Sequence, residues 1–124
     1  MQVQKCYGGS NNENSFPEHP FQGQSCMVQT EDGGFIFSGP SGSTDGDATG
    51  QHGILDIMVI KTNAVGTVIW QKLIGGSGFD IPVKLIQSRD GGYLLEAITT
   101  SNDGDVSGSH GYWDSWIVKF DKMG

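Results

Sequence analysis

The chain has 124 residues, a length typical of one domain. Hydrophobic residues make up 35% of it and glycine adds 20 residues, a composition closer to that of a globular than of a disordered protein. Its 14 acidic and 7 basic residues give a net charge of -7, which argues against a nucleic-acid backbone as a partner. No apolar run approaches the roughly 18 residues that a membrane-spanning helix needs, and the N-terminus lacks the apolar core of a signal peptide.

Two parts of the chain repeat each other. Residues 27–35 align with residues 85–93 at an offset of 58, and residues 1–10 align with residues 68–77 at an offset of 67. The difference between the offsets corresponds to a nine-residue insertion in the first repeat. The insertion lies within residues 11–24, a polar stretch with two prolines that indicates a long surface loop.

The repeats divide the chain into residues 1–66 and residues 67–124, with the insertion in the first. Each repeat contains four short apolar strand signals, and Asp32-Gly33-Gly34 or Asp90-Gly91-Gly92 marks a hairpin turn after the first of them. No helical periodicity of useful length is present. The predicted strands are 1–6, 26–30, 35–38, 57–62, 68–73, 83–88, 93–99 and 115–120.

Four strands per repeat predict an all-β, β-propeller-like fold with two four-stranded blades; the alternative is a β-solenoid. The repeats are circularly permuted, because the chain begins with a fourth strand and stops where another would start. Two blades cannot close a ring, so we expect either a longer parent chain or head-to-tail assembly of copies. Three or four copies would give six or eight blades, within the usual range of roughly 4–8.

The second repeat carries a characteristic series of motifs. They are Trp70-Gln71-Lys72 with Gly75-Gly76-Ser77, then Asp90-Gly91-Gly92-Tyr93, then residues 102–111 (NDGDVSGSHG), then Trp116-Ile117-Val118-Lys119-Phe120-Asp121. The series resembles the tandem repeat of secreted, propeller-like surface proteins of Bacteroidetes. The first repeat departs from it at Val3, at the insertion and at Ile57. The resemblance implies an extracellular or cell-surface, non-catalytic propeller that serves as a structural or interaction scaffold.

An acidic, glycine-rich stretch recurs in both repeats with the spacing of a calcium loop. Such a loop has oxygen ligands at positions one, three and five, glycine at six and a carboxylate at twelve. The candidate metal ligands are Asp45, Asp47, Thr49 and Asp56 in the first repeat, and Asp103, Asp105, Ser107 and Asp114 in the second. The pattern therefore predicts a structural Ca²⁺ in each repeat. The competing interpretation is a tight turn whose polar side chains hydrogen-bond their own backbone.

Histidines and aromatic residues near these stretches are the candidate ligand-binding residues. His52 and His110 are too few for a zinc site of the usual type and are expected to pack beside a carboxylate. Tyr112 and Trp113 precede a predicted strand, where an exposed aromatic ring beside acids could stack on a sugar. The alternative function is therefore a carbohydrate-binding lectin assembled as an oligomeric propeller, with a glycan or a surface protein as partner.

An enzymatic function finds the least support. The chain lacks a G-x-S-x-G nucleophile motif, and the repeat counterpart of Glu96 is Ser38, so a glycosidase would lack a repeat-related second carboxylate. Two cysteines are too few for a disulfide scaffold. If strand one lies near the propeller axis and strand four at its rim, Cys6 and Cys26 are too far apart to bridge within one chain.

Overall fold

A computed structural model of the protein describes residues 4–10 and 25–124, and the regular structure of these residues is entirely β. The strands are β1 (Cys26–Gln29), β2 (Phe35–Ser41), β3 (Asp56–Thr62), β4 (Val68–Ile74), β5 (Asp80–Gln87), β6 (Tyr93–Thr99) and β7 (Asp114–Phe120). They form two antiparallel sheets, in the orders β1-β2-β3-β4 and β5-β6-β7. The predicted all-β class is confirmed. No helix in the described residues is long and apolar enough to cross a membrane.

The first hairpin of each sheet is closed by the predicted Asp-Gly-Gly turn. Asp32 Oδ1 accepts hydrogen bonds from the Thr30 hydroxyl and from the Gly34 amide, at 2.5 and 3.0 Å. Asp90 Oδ1 accepts the equivalent bonds from the Ser88 hydroxyl and the Gly92 amide. The first glycine of each turn, Gly33 or Gly91, has a positive φ of 79° or 82°, a backbone conformation that residues other than glycine rarely adopt. The same local chemistry therefore starts both sheets.

The observed strands follow the predicted ones to within one residue at most ends, with three larger differences. β2 ends at Ser41 rather than Ser38, because Gly39, Pro40 and Ser41 continue the ladder with β3. β5 begins at Asp80 rather than Val83, because Asp80 pairs with Thr99 and a bulge between Pro82 and Lys84 carries the ladder past the proline. Of the predicted strand 1–6, residues 4–6 are described; they are exposed and belong to no sheet of the described chain. The predicted insertion 11–24 lies outside the described residues.

An apolar core lies between the two sheets. Its buried members include Val59 of the first sheet and Leu95 of the second, both with no exposed surface. Trp70 of β4 crosses the interface, with its ring 6.0 Å from that of Tyr93 and 5.9 Å from that of Phe120. Tilted aromatic contacts of this kind add to the stability gained from apolar burial. The two sheets therefore pack face to face through a shared core.

Equivalent residues of the two sheets point in equivalent directions. On β3, Val59 faces the second sheet, whereas Met58 belongs to a separate cluster on the opposite face, beside Tyr7. On β7, at an offset of 58, Trp116 is the equivalent of Met58, and Ile117 is the equivalent of Val59. Trp116 packs against the first sheet, and Ile117 is 64% exposed. In each sheet the side chain at the first of these positions, Met58 or Trp116, thus packs against what precedes the sheet. On the opposite face, Val59 is covered by the second sheet, whereas nothing among the described residues covers Ile117 to the same extent.

Candidate functional site

The two acidic stretches form the same turn. We call residues 45–48 the first acidic turn and residues 103–106 the second. The Ala48 amide donates to the Asp45 carbonyl, and the Val106 amide donates to the Asp103 carbonyl, each at 3.0 Å. Ala48 and Val106 are buried, and the glycine that follows the first aspartate has a φ of 63° in both turns. One buried apolar side chain therefore anchors each turn, while its acids face outward.

The second acidic turn holds the backbone of the Gly75-Gly76-Ser77 segment that follows β4. Asp103 Oδ1 accepts a hydrogen bond from the Ser77 amide at 2.7 Å, and Asp105 Oδ2 accepts one from the Gly75 amide at 3.2 Å. The Asp105 amide donates in return to the Gly75 carbonyl at 2.9 Å. We call this arrangement the clasp. It ties the segment that follows the last strand of the first sheet to the loop between β6 and β7 of the second sheet.

The first acidic turn makes the same clasp with Gly8-Gly9-Ser10. Asp45 Oδ1 accepts from the Ser10 amide at 2.6 Å, and Asp47 Oδ2 accepts from the Gly8 amide at 3.1 Å. The Asp47 amide donates to the Gly8 carbonyl at 3.1 Å. The serine amides lower the pKa of Asp45 and of Asp103, because a hydrogen bond to the ionised form favours that form. Each clasp therefore favours the ionised form of its first aspartate, Asp45 or Asp103.

The residues predicted at position twelve also bind backbone groups. Asp56 Oδ2 and Asp114 Oδ2 accept from the amides of His52 and His110, each at 2.5 Å. The position-five residues, Thr49 and Ser107, are exposed. Within residues 4–10 and 25–124, no three Asp, Glu, His or Cys side chains are grouped so that they could hold a metal ion. The carboxylates at positions one, three and twelve thus each accept hydrogen bonds from the main chain.

A pair of buried carboxylates links the two repeats. Asp56, which begins β3, and Asp80, which begins β5, have no exposed surface. A Cβ placed on Gly75 would lie 2.7 Å from Asp56 Oδ1 and 2.7 Å from Asp80 Oδ2, so both carboxylates flank this glycine. Asp80 Oδ2 accepts from Gly76 N and from the Ser101 hydroxyl. The Oδ1 atoms of both aspartates are buried without a hydrogen-bond partner in the described structure.

His52 lies beside this pair and connects the repeats. Its Nδ1 is 3.7 Å from Asp56 Oδ2 and 3.9 Å from Asp105 Oδ2. Burial raises the pKa of Asp56, the His52 amide and charge lower it, and the charges of Asp80 and Asp105 raise it further. Burial dominates, because a carboxylate loses solvation when it leaves water. The expected packing of a histidine beside a carboxylate is thus present in the first repeat.

Asp56 and its equivalent Asp114 are expected to affect the pH dependence of stability in opposite directions. The raised pKa of Asp56 means that its contribution to stability is fully present below the unfolded-state pKa of about 3.9 and is lost as the pH rises through the folded-state pKa. The His110 amide lowers the pKa of Asp114, so its contribution is present above the unfolded-state pKa and is lost as the pH falls.

The measurement is urea unfolding of Asp56→Asn and Asp114→Asn between acidic and neutral pH, in chelator. Relative to the unsubstituted chain, Asp56→Asn should gain stability toward neutral pH, whereas Asp114→Asn should lose it. Asparagine keeps an oxygen that accepts the histidine amide, so the comparison isolates the charge. Equal pH profiles for the two variants would contradict the opposite environments of these residues.

The candidate sugar-binding aromatics lie in the loop before β7. Tyr112 is 90% exposed and Trp113 is 41% exposed. His110, in the same loop, is also exposed, and the side chain of Asp114 accepts its amide. The other candidate, His52, lies next to Asp105 rather than in an aromatic loop. The structure therefore leaves the first two rings accessible to solvent beside a carboxylate.

Asp80 is the residue of the acid pair that the calcium-loop spacing did not include. It lies outside both acidic stretches, 24 residues beyond Asp56, and a backbone bridge between the residues before them, Leu55 and Phe79, brings it beside Asp56. The available signal was an acid directly before Ile81-Pro82, at the start of an apolar strand. A buried acid is rare without a partner, so an acid at the start of an apolar strand indicates a paired carboxylate.

Comparison with known proteins adds no family to this picture. No protein-family model, no curated protein and no solved structure matches the chain.

Proposed function

We propose that the chain is a non-catalytic, extracellular, propeller-like repeat module that serves as a structural or interaction scaffold and assembles head to tail with itself. Each sheet is then one blade, and copies extend the array beyond two blades. The observation that carries the proposal is the contrast between Val59 and Ile117 at equivalent positions. Val59 has no exposed surface, because the second sheet covers it, whereas Ile117 is 64% exposed.

The repeated clasp supports the same proposal. It joins the segment before a sheet to the acidic turn of that sheet, and it has the same hydrogen bonds at both places. At Gly75-Gly76-Ser77 this segment directly follows the last strand of the preceding sheet. A joint that recurs with unchanged geometry suits an array in which each unit contacts its neighbours. It suits catalysis less well, because its carboxylates are already engaged by backbone amides.

The mass of the chain in solution, measured by light scattering over a concentration series, tests the proposal. We expect a closed assembly of three or four copies, which would hold six or eight blades. A folded chain that stays monomeric throughout the series would contradict self-assembly. A mass that rises continuously would replace the ring by an open filament, as expected of a head-to-tail contact that does not close.

A structural Ca²⁺ is the cofactor of this proposal, and the loop spacing together with the two unpartnered Oδ1 atoms of Asp56 and Asp80 supports it. We expect the melting temperature to rise when calcium is added and to fall in chelator. Asp56→Asn should reduce the calcium-dependent shift while it keeps an oxygen to accept the His52 amide. No shift in the unsubstituted chain would remove calcium from the proposal.

A glycan-binding lectin is the second candidate, and the 90% exposure of Tyr112 beside Trp113 favours it. Loops often carry binding residues, and aromatic side chains are enriched at binding sites. A glycan array in calcium is the test, with Tyr112→Ala and Trp113→Ala variants as controls. Binding that both substitutions weaken would support the lectin, and no binding at high protein concentration would argue strongly against it.

A further inference from the structure

Within residues 4–10 and 25–124, no strand pairs with the outer edge of β7. In the first sheet β3 lies between β2 and β4, whereas β7, its equivalent, pairs only with β6 among the described strands. An edge strand presents unpaired amide and carbonyl groups to which another strand can bind. A groove of about 470 Å³ lies along this edge, lined by residues 116–121 of and after β7 and by Lys72 and Ile74 of β4.

The first sheet shows how a strand fits beside this type of edge. β4 is antiparallel to β3, with Ile60 opposite Gln71, Val59 opposite Lys72, Met58 opposite Leu73, and Ile57 opposite Ile74. The repeat offsets transfer this register to the second sheet: 58 residues separate equivalent positions of β3 and β7, and 67 separate those of residues 4–7 and β4. Two of the four transferred residues are identical, since Gln4 and Lys5 correspond to Gln71 and Lys72.

We propose that the groove along β7 binds residues 4–7 of a second copy as an antiparallel fourth strand in one defined register. That register places Gln4 opposite Val118, Lys5 opposite Ile117, Cys6 opposite Trp116 and Tyr7 opposite Ser115. The inference rests on the proposed self-assembly and adds to it the interface and its alignment. Residues 4–6 are available for this pairing, because they are exposed and belong to no sheet of the described chain.

The strand comes from a second copy rather than from the same chain. Tyr7 packs against Phe37, with ring centroids 5.1 Å apart, and its hydroxyl donates to the Gly66 carbonyl. These contacts hold Tyr7 on the face of the first sheet that points away from the second sheet. The groove along β7 lies on the other side of the shared core, so residues 4–7 reach the groove of a neighbour.

A second, independent position supports the same arrangement. Gly53, just before β3, approaches the next repeat so closely that an added Cβ would lie 2.0 Å from the Gly76 carbonyl oxygen. Gly111 is its equivalent before β7, and an added Cβ there meets nothing within 4 Å. In the proposed register, Gly9 of the second copy takes the place of Gly76 beside Gly111. The open space at Gly111 is therefore the space that Gly9 of the second copy would occupy.

Disulfide cross-linking of mixed copies tests the register. One copy carries Lys5→Cys and the other carries Ile117→Cys, and Cys6→Ser is present in both. Directly opposite residues in antiparallel strands have Cα atoms about 4.5–5.5 Å apart, within the range that a disulfide spans. The matched control replaces Ile117→Cys by Ser115→Cys, which lies two residues further along the same edge and out of reach by roughly 6.6 Å of strand rise.

We expect a linked dimer from the mixture of Lys5→Cys with Ile117→Cys, and none from the Ser115→Cys mixture or from copies that carry Cys6→Ser alone. Oligomers by light scattering with no selective cross-link would overturn the register while leaving self-assembly in place. A monomeric chain with no cross-link would overturn both. Equal cross-linking of both mixtures would overturn the register as well, because it would indicate random encounter.

Discussion

Gly53→Ala should destabilise the fold by about 3 kcal/mol or more, whereas Gly111→Ala should leave the stability of the single chain within about 0.5 kcal/mol. The two glycines occupy the same place in the two repeats. A methyl group on Gly53 would meet backbone atoms of Gly76 and Ser77 at 2.0 to 2.9 Å, and backbone cannot move aside as a flexible side chain can. At Gly111 the methyl group meets nothing within 4 Å.

Urea unfolding of both variants, at a dilution where the chain is monomeric, gives the comparison. The pair is a sharp control because the residue type and the substitution are the same. A loss of similar size in both variants would mean that the turn itself, rather than its contact with the next repeat, rejects a side chain. Such a result would contradict the close packing of the first sheet's end on the Gly75-Gly76-Ser77 segment.

Lys61→Ala should cost about 3 kcal/mol, and Lys119→Ala, the same change in the second repeat, at most about 1 kcal/mol. Lys61 is 2% exposed; its Nζ donates to both carboxylate oxygens of Asp32, at 2.9 and 3.1 Å, and to the Thr62 carbonyl at 2.9 Å. Lys119 forms the equivalent ion pair with Asp90, but the side chains of both residues are more than half exposed.

The difference follows from what covers the two lysines. Lys61 lies two residues beyond Val59, on the face of β3 that is turned toward the second sheet, and its side chain is buried, so truncation removes packing as well as the ion pair. Thermal or urea unfolding measures both losses. Lys61→Met separates the terms, since it keeps most of the apolar volume and removes the charge. If Lys61→Ala and Lys119→Ala lose equally little, the burial of Lys61 does not contribute as described.

Local structure could be predicted from the sequence because its signals are local. The Asp-Gly-Gly turns and the alternating or continuous apolar runs lie within a few residues of the strands they define, and β6 was predicted at its observed bounds. The start of β5 was missed because a proline in a run argues against a strand, whereas the bulge beside Pro82 accommodates it. The end of β2 was predicted three residues too early, at Ser38, because Gly39 and Pro40 argue against a strand, yet both residues pair with β3 in a regular register.

The site was harder to predict because its partners are distant in the sequence. Spacing suggested that Asp103, Asp105 and Asp114 converge on one point, but Asp103 and Asp105 bind amides of a segment 26 and 30 residues earlier. Asp80 approaches Asp56 because a backbone bridge joins the residues before them, Leu55 and Phe79, and the Asp80 amide donates to the Leu55 carbonyl at 2.8 Å. Similarly, residues 4–6 have a strand-like sequence without a strand, since pairing depends on an edge that the sequence of one segment does not reveal.

The clasp also has a consequence for how such a chain can diverge by mutation and lengthen by gene duplication. The partners that the aspartates bind in it are main-chain amides, those of Gly8 and Ser10 in one clasp and those of Gly75 and Ser77 in the other. Most substitutions in the strand that precedes these residues leave such bonds intact. Two repeats can therefore drift apart, as Tyr7 and Ile74 have, while a duplicated unit still joins its neighbour in the same geometry.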